Sequence, residues 1–110
     1  MKNPINSDNL FENIPDDLSH EISEILIDGK NCRIERILSK GHASPQEEWY
    51  DQDENEWVLL IRGSAGLKFE DRDEMVKMAP GDHINIPSHR RHRVEWTDPE
   101  METIWLVVFY

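Results

Sequence analysis

Glu56 and His92 are the side chains of this chain whose types and positions most invite chemistry. Glu56 opens the segment Glu56-Trp57-Val58-Leu59-Leu60-Ile61-Arg62-Gly63. His92 stands near the end of a second one, Pro80-Gly81-Asp82-His83-Ile84-Asn85-Ile86-Pro87-Ser88-His89-Arg90-Arg91-His92-Arg93-Val94. Each segment reads as a strand with a turn at its end. A carboxylate and an imidazole are both ligands for a divalent metal, provided that strands bring them to one point.

The elements that must do this are strands. Glu21–Ile27 reads as the first, ended by the turn Asp28-Gly29-Lys30-Asn31. Cys32–Leu38 follows, and a polar loop, Gly41–Asp53, leads to Trp57–Arg62, a nearly continuous apolar run too short for a helix. Gly66–Glu70 and Met75–Met78 flank the hairpin turn Asp71-Arg72-Asp73-Glu74, and His83–Ile86, His92–Trp96 and Thr103–Phe109 complete the set. Short strands with frequent turns predict an all-β sandwich or barrel. Residues 1–20 are polar and carry Pro4 and Pro15; Leu10, Phe11 and Ile14 form a small apolar cluster, expected to pack as an arm against a barrel of residues 21–110. Thr103–Tyr110 is apolar on both faces, which predicts a strand covered on one side by the arm or by a second copy of the chain, hence a homodimer.

The 110 residues suit one domain. A formal net charge of −11 argues against nucleic acid and anionic membranes as partners. No apolar run approaches the length of a membrane span. Cys32 is the single cysteine; no internal disulfide is possible, and a cytoplasmic location is expected. It lacks any motif that would activate it as a nucleophile and reads as a strand residue. Phosphate-binding glycine loops, His-Glu-x-x-His, paired-cysteine zinc sites and the Gly-x-Ser-x-Gly elbow do not occur.

The two segments together resemble the two motifs of the cupin superfamily. In that pattern the first motif ends in Glu, six residues, Gly, as Glu56 and Gly63 do. The second begins Gly, five residues, Pro, as Gly81 and Pro87 do, and its histidine falls on His92. The resemblance covers residues 32–110 and is similar to small single-domain bacterial cupins. It implies a jelly-roll (double-stranded β-helix) barrel, commonly a homodimer, holding a divalent metal or a small ligand in its mouth. The departures are specific. The His-x-His pair of the first motif is absent, its places falling on Tyr50 and Gln52 or on Trp49 and Asp51, according to the spacing used. The glycine of Pro-x-Gly is His89, and the closing asparagine is Trp96.

The resemblance therefore implies a metal set of Glu56 and His92 completed by Gln52 or Asp51, with iron, manganese, nickel or zinc as the ion and Tyr50 as a hydrogen-bonding or acid–base group. His89, Arg91, Trp49 and Trp96 are candidate ligand-binding residues around the mouth. The alternative is a metal-free barrel whose aromatic and arginine lining takes a small anionic or sugar-like molecule. A solvated acidic loop at 51–56 and core packing for the tryptophans are the plainer readings of those residues.

Overall fold

The computed structural model describes residues 4–110; the first three residues of the expected arm lie outside the described residues. Eight strands form: β1 (Ile22–Asp28), β2 (Arg33–Ser39), β3 (Glu56–Arg62), β4 (Ala65–Phe69), β5 (Val76–Met78), β6 (His83–Ile86), β7 (His92–Thr97) and β8 (Thr103–Phe109). The expected strands are all present, several displaced by one residue, and the described residues contain no helix. A five-stranded sheet of order β1-β2-β8-β3-β6 faces a three-stranded sheet of order β5-β4-β7, with every pairing antiparallel. The result is a jelly roll. No helix of the described residues is long and apolar enough to cross a membrane.

Period-two alternation sorts each strand between a core face and an outer face. Register places Val58 opposite Val107, Leu60 opposite Trp105 and Val58 opposite Ile84 on the inner side of the large sheet. Leu67 and Phe69 answer them from β4, and the cluster closes with Ile86 and Phe109. Burying such side chains contributes about 1.5–3 kcal/mol each relative to exposure. Only Trp105 among the four tryptophans is fully part of this core; Trp49, Trp57 and Trp96 are half-buried. Cys32 is half-buried as well.

The arm crosses the outer face of the large sheet. Ile14 and Leu18 pack on Leu38 and Ile104, forming a second small core with Ile22 and Ile61. The expected cluster of Leu10, Phe11 and Ile14 is not the arm's anchor, because Phe11 is exposed. The Arg36 guanidinium holds that end instead, donating to the carbonyls of Leu10, Glu12 and Asn13. β8 thus has one face in the barrel core, while its other face is covered by the arm at Ile104 and only half-buried at Leu106 and Val108.

Candidate functional site

Glu56 begins β3 in the large sheet and His92 begins β7 in the small one, so the pair forms across the barrel interior. His92 Nε2 lies 3.2 Å from Glu56 Oε2. The same Oε2 accepts a hydrogen bond of 2.8 Å from Gln52 Nε2. His92 Nδ1 stands 2.8 Å from the carbonyl of Arg90, to which it donates. Tyr50 reaches the site because its backbone bridges to that of His92, N to O at 2.8 Å and back at 3.3 Å. The Tyr50 and Phe69 rings flank the imidazole at 5.8 and 6.0 Å between centroids.

Both imidazole nitrogens therefore face acceptors, an arrangement only the imidazolium satisfies. Burial pushes the His92 pKa down; the hydrogen bond and charge of Glu56 and the Arg90 carbonyl outweigh it, and the value rises above the ordinary 6.5. A raised folded-state pKa contributes stability that is complete below the unfolded value and is lost as pH climbs through the folded one. The wild-type protein is accordingly expected to lose stability as pH climbs from about 6.5 through the raised His92 value. Glu56→Gln should flatten that slope in thermal melts taken across this range; an unchanged slope would place the titration elsewhere.

Around the pair lies a cavity of about 200 Å³. Ile37, Val94, Trp105 and Phe109 give it apolar walls, and Glu21, Ser23, Glu35, Tyr50 and Gln52 add polar groups to those of Glu56 and His92. No lysine or arginine lines it. Glu21, Ser23 and Glu35 are lining residues that sequence reasoning missed. The signal lay in β2, where Glu35 shares the inward register with Ile37, opposite Val107 and Trp105 of β8.

The loop before β3 splits its residues between inside and outside. Tyr50 and Gln52 line the cavity. Asp51 is exposed: its carboxylate meets His89 Nδ1 at 2.7 Å and Arg91 Nε at 3.3 Å. Hydrogen bonds from His89 and then Arg91 hold the Asp51 carboxyl below the usual carboxylate range. His89 Nε2 also contacts Asp53 at 3.0 Å, and Arg91 pairs with Glu70 at 3.1 Å. Trp49 is stacked by Arg93, 4.3 Å from its ring, and the Trp96 indole lies against Gly66 and Met75. Asp51, His89, Arg91, Trp49 and Trp96 are all absent from the cavity lining.

Cupin domains commonly bind divalent metals, and the donors can be tested against that expectation. Among the described residues no group of three His, Cys, Asp or Glu side chains converges. Glu56 and His92 are two strong donors; Gln52 adds a neutral amide whose nitrogen is turned to Glu56. First-row sites need three or four good donors and an open position, so these residues do not fit a resident metal centre.

The family model described as a cupin domain matches residues 35–109. The solved structure of a candidate mannose-6-phosphate isomerase from Ralstonia eutropha JMP134 is 43% identical, over 96% of this chain and 97% of that one, with a TM-score of 0.92. A cupin superfamily protein from Desulfitobacterium hafniense DCB-2 is 16% identical, over 87% of this chain and 82% of its own, with a TM-score of 0.71. An RmlC-like cupin with a double-stranded β-helix fold from Methanocaldococcus jannaschii is 18% identical, over 87% and 84%, with a TM-score of 0.67. The latter two are likenesses of fold alone. No curated protein matches. Strand order, the Glu56–Gly63 and Gly81–Pro87–His92 anchors and the family match together make this chain a member of the cupin family.

Proposed function

We propose that this cupin binds a small uncharged, polyhydroxylated molecule in the barrel cavity without a resident metal, using the Gln52–Glu56–His92 chain as its polar focus. The carrying observation is the charge of the lining: Glu21, Glu35 and Glu56 are present, and no lysine or arginine is. An anion entering there meets carboxylates, and the one cation of the lining, the His92 imidazolium, is already paired with Glu56. The arginines that could have supplied one are engaged outside, Arg90 with Asp71, Arg91 with Asp51 and Glu70, and Arg93 with Glu95. Of the two ligand chemistries weighed for a metal-free barrel, this favours the sugar-like one over the anionic one.

The Ralstonia relative suggests a sugar phosphate. The hydroxyl-bearing part of such a molecule suits acceptors at Glu21, Glu35 and Glu56 and a donor at His92, while its phosphate does not. Glu56 and His92 can also act as proton acceptor and donor toward a bound carbonyl or hydroxyl, with Tyr50 at hand for a further hydrogen bond. The single cysteine and the net charge of −11 support a reducing, cytoplasmic setting away from nucleic acid and anionic membranes.

Thermal shift with mannose, mannose 6-phosphate and iron, manganese, nickel or zinc salts, beside metal analysis of untagged protein, tests the reading. A neutral ligand at about 100 times its Kd should add about 2.7 kcal/mol of stability, and Glu56→Ala/His92→Ala should abolish the shift. Stabilisation by the phosphorylated sugar but not the neutral one would overturn the proposed ligand class. Near one metal per chain, lost in the double variant with the fold intact, would overturn the metal-free reading.

A further inference from the structure

Trp49 and Trp96 stay outside the cavity, and the register of the small sheet shows where they go. Leu67, Val76 and Val94 turn into the barrel core, so their neighbours along each strand turn out. These outward residues form two rows. In the first, Arg93 of β7 stands opposite Lys68 of β4, with the Trp49 ring 4.3 Å from the Arg93 guanidinium. In the second, Trp96 of β7 stands opposite Gly66 of β4, and Gly66 opposite Lys77 of β5. The register shift between Val94 and Trp96, two residues against one step of β4, is what turns Trp96 outward.

Gly66 is the seat of this face. A Cβ there would stand 2.8 Å from Trp96 Cδ1 and 2.7 Å from Met75 Sδ, so the indole and the thioether meet over bare backbone. Trp96 is half-buried and Met75 exposed, so both keep surface open to solvent. The two rows hold three cations, Arg93, Lys68 and Lys77, against the carboxylate of Glu95, which Arg93 engages at 2.7 Å. The Lys68 ammonium donates to the carbonyls of Phe69 and Arg72, which leaves its charge unmatched. Lys77 is exposed and has no carboxylate partner among the described residues. On a chain of net charge −11, two unmatched ammonium groups beside an indole form a local spot that attracts an anion.

Border and spacing define that anion. Acidic turns close both ends of the face, with Asp71, Asp73 and Glu74 between β4 and β5, and Asp98 and Glu100 after β7. They repel an anionic polymer running off the face and leave room for a single anionic group. Trp96 rests on β4 and Lys77 belongs to the adjacent β5, about 5 Å away at the backbone. The four-carbon lysine stem lengthens that reach. A flat ring on the indole and an anion carried one pentose-sized linker away satisfy both groups at once.

We propose that the outer face of the small sheet carries a second binding site, separate from the cavity, for a small molecule that joins a flat aromatic ring to one anionic group through a short linker, the chemistry of a nucleoside monophosphate. The ring stacks on Trp96 beside Met75, and the phosphate meets the ammonium groups of Lys77 and Lys68.

Titration of the isotope-labelled full chain with adenosine monophosphate, followed by NMR, tests this, because the indole N–H signals of Trp96 and Trp105 report the outer face and the cavity separately. The Trp96 indole and Lys77 amide signals should shift with a Kd below about 1 mM, while the Trp105 indole signal stays in place. Lys77→Glu, at an exposed position, should raise that Kd about tenfold or more. Adenosine and inorganic phosphate, each alone, should bind more weakly by a similar factor. No shift at Trp96, or shifts confined to Trp105, would overturn the proposal. Equal binding of inorganic phosphate would mean an adventitious ion only, equal binding of adenosine would leave the lysines without a role, and equal binding of mannose 6-phosphate would remove the flat ring from the ligand class. Each of these overturns it, as does a Lys77→Glu variant that binds like wild type.

Discussion

Gly63→Ala is expected to cost about 2–5 kcal/mol of stability, the sum of a backbone penalty and a steric one. Gly63 follows β3 with φ +89°, in the left-handed region where a side chain costs about 1–2 kcal/mol. The added Cβ would also stand 2.3 Å from Thr103 Oγ1 and 2.7 Å from Thr103 Cα. Rotating the threonine away does not solve this, because the second contact is backbone. Thr103 is fully buried, begins β8, and bonds the Ser64 carbonyl. Something central must therefore move, and overpacking of this kind costs about 1–3 kcal/mol. β8 also carries Trp105, Val107 and Phe109 into the cavity, so ligand affinity should fall along with stability. Urea unfolding measures the first effect. Gly63→Asn separates the two causes, since asparagine tolerates positive φ but brings the same Cβ. Equal losses in both variants would assign the effect to the clash; a change within about 0.5 kcal/mol, the range of a neutral surface substitution, would contradict both arguments.

Arg36→Met is expected to cost about 3–5 kcal/mol, as removal of one side of a buried charged network does. The guanidinium is 4% exposed and donates to three arm carbonyls at 3.0, 2.7 and 3.2 Å and to Glu24 at 2.7 Å. Methionine fills much of the same volume but leaves those acceptors without a donor. Glu24 is partly exposed and can return to water. The carbonyls of Leu10, Glu12 and Asn13 lose their common donor, and with it this end of the arm loses its polar tie to the sheet. Local release of the arm should therefore precede global unfolding. Limited proteolysis within residues 4–18 should become fast while the barrel remains resistant, and the Leu38–Ile104 cluster should become accessible. An arm that stays protected would show that Ile14 and Leu18 hold it by apolar contact alone.

Much of the barrel was legible because strands announce themselves locally. The alternation in β2, the apolar run in β3 and the turns at Asp28–Asn31 and Pro80–Asp82 depend only on neighbours in the chain. The same holds for the Glu56–Gly63 and Gly81–His92 spacings, which marked the two side chains that meet at 3.2 Å. The doubly apolar β8 likewise indicated that something must cover its outer face.

The lining was less legible. Asp51 and Gln52 were equal candidates from spacing, yet one turns outward to His89 and Arg91 and the other inward to Glu56. Nothing in the acidic run from 51 to 56 marks that choice; it is made when Tyr50 bridges to His92 and fixes which residues face the cavity. The arginines beside His92 looked available to a ligand until the fold supplied Asp71, Asp51, Glu70 and Glu95 as their partners. Glu21 and Glu35 carried no motif and became lining residues through the pairing of β1, β2 and β8. The sequence by itself determined the strands, the turns and the Glu56 and His92 positions, because periodicity and turn chemistry act over a few residues. Only the tertiary structure decided the sign of the cavity's charge and the partner of each side chain, because those depend on which strands lie opposite one another across the barrel.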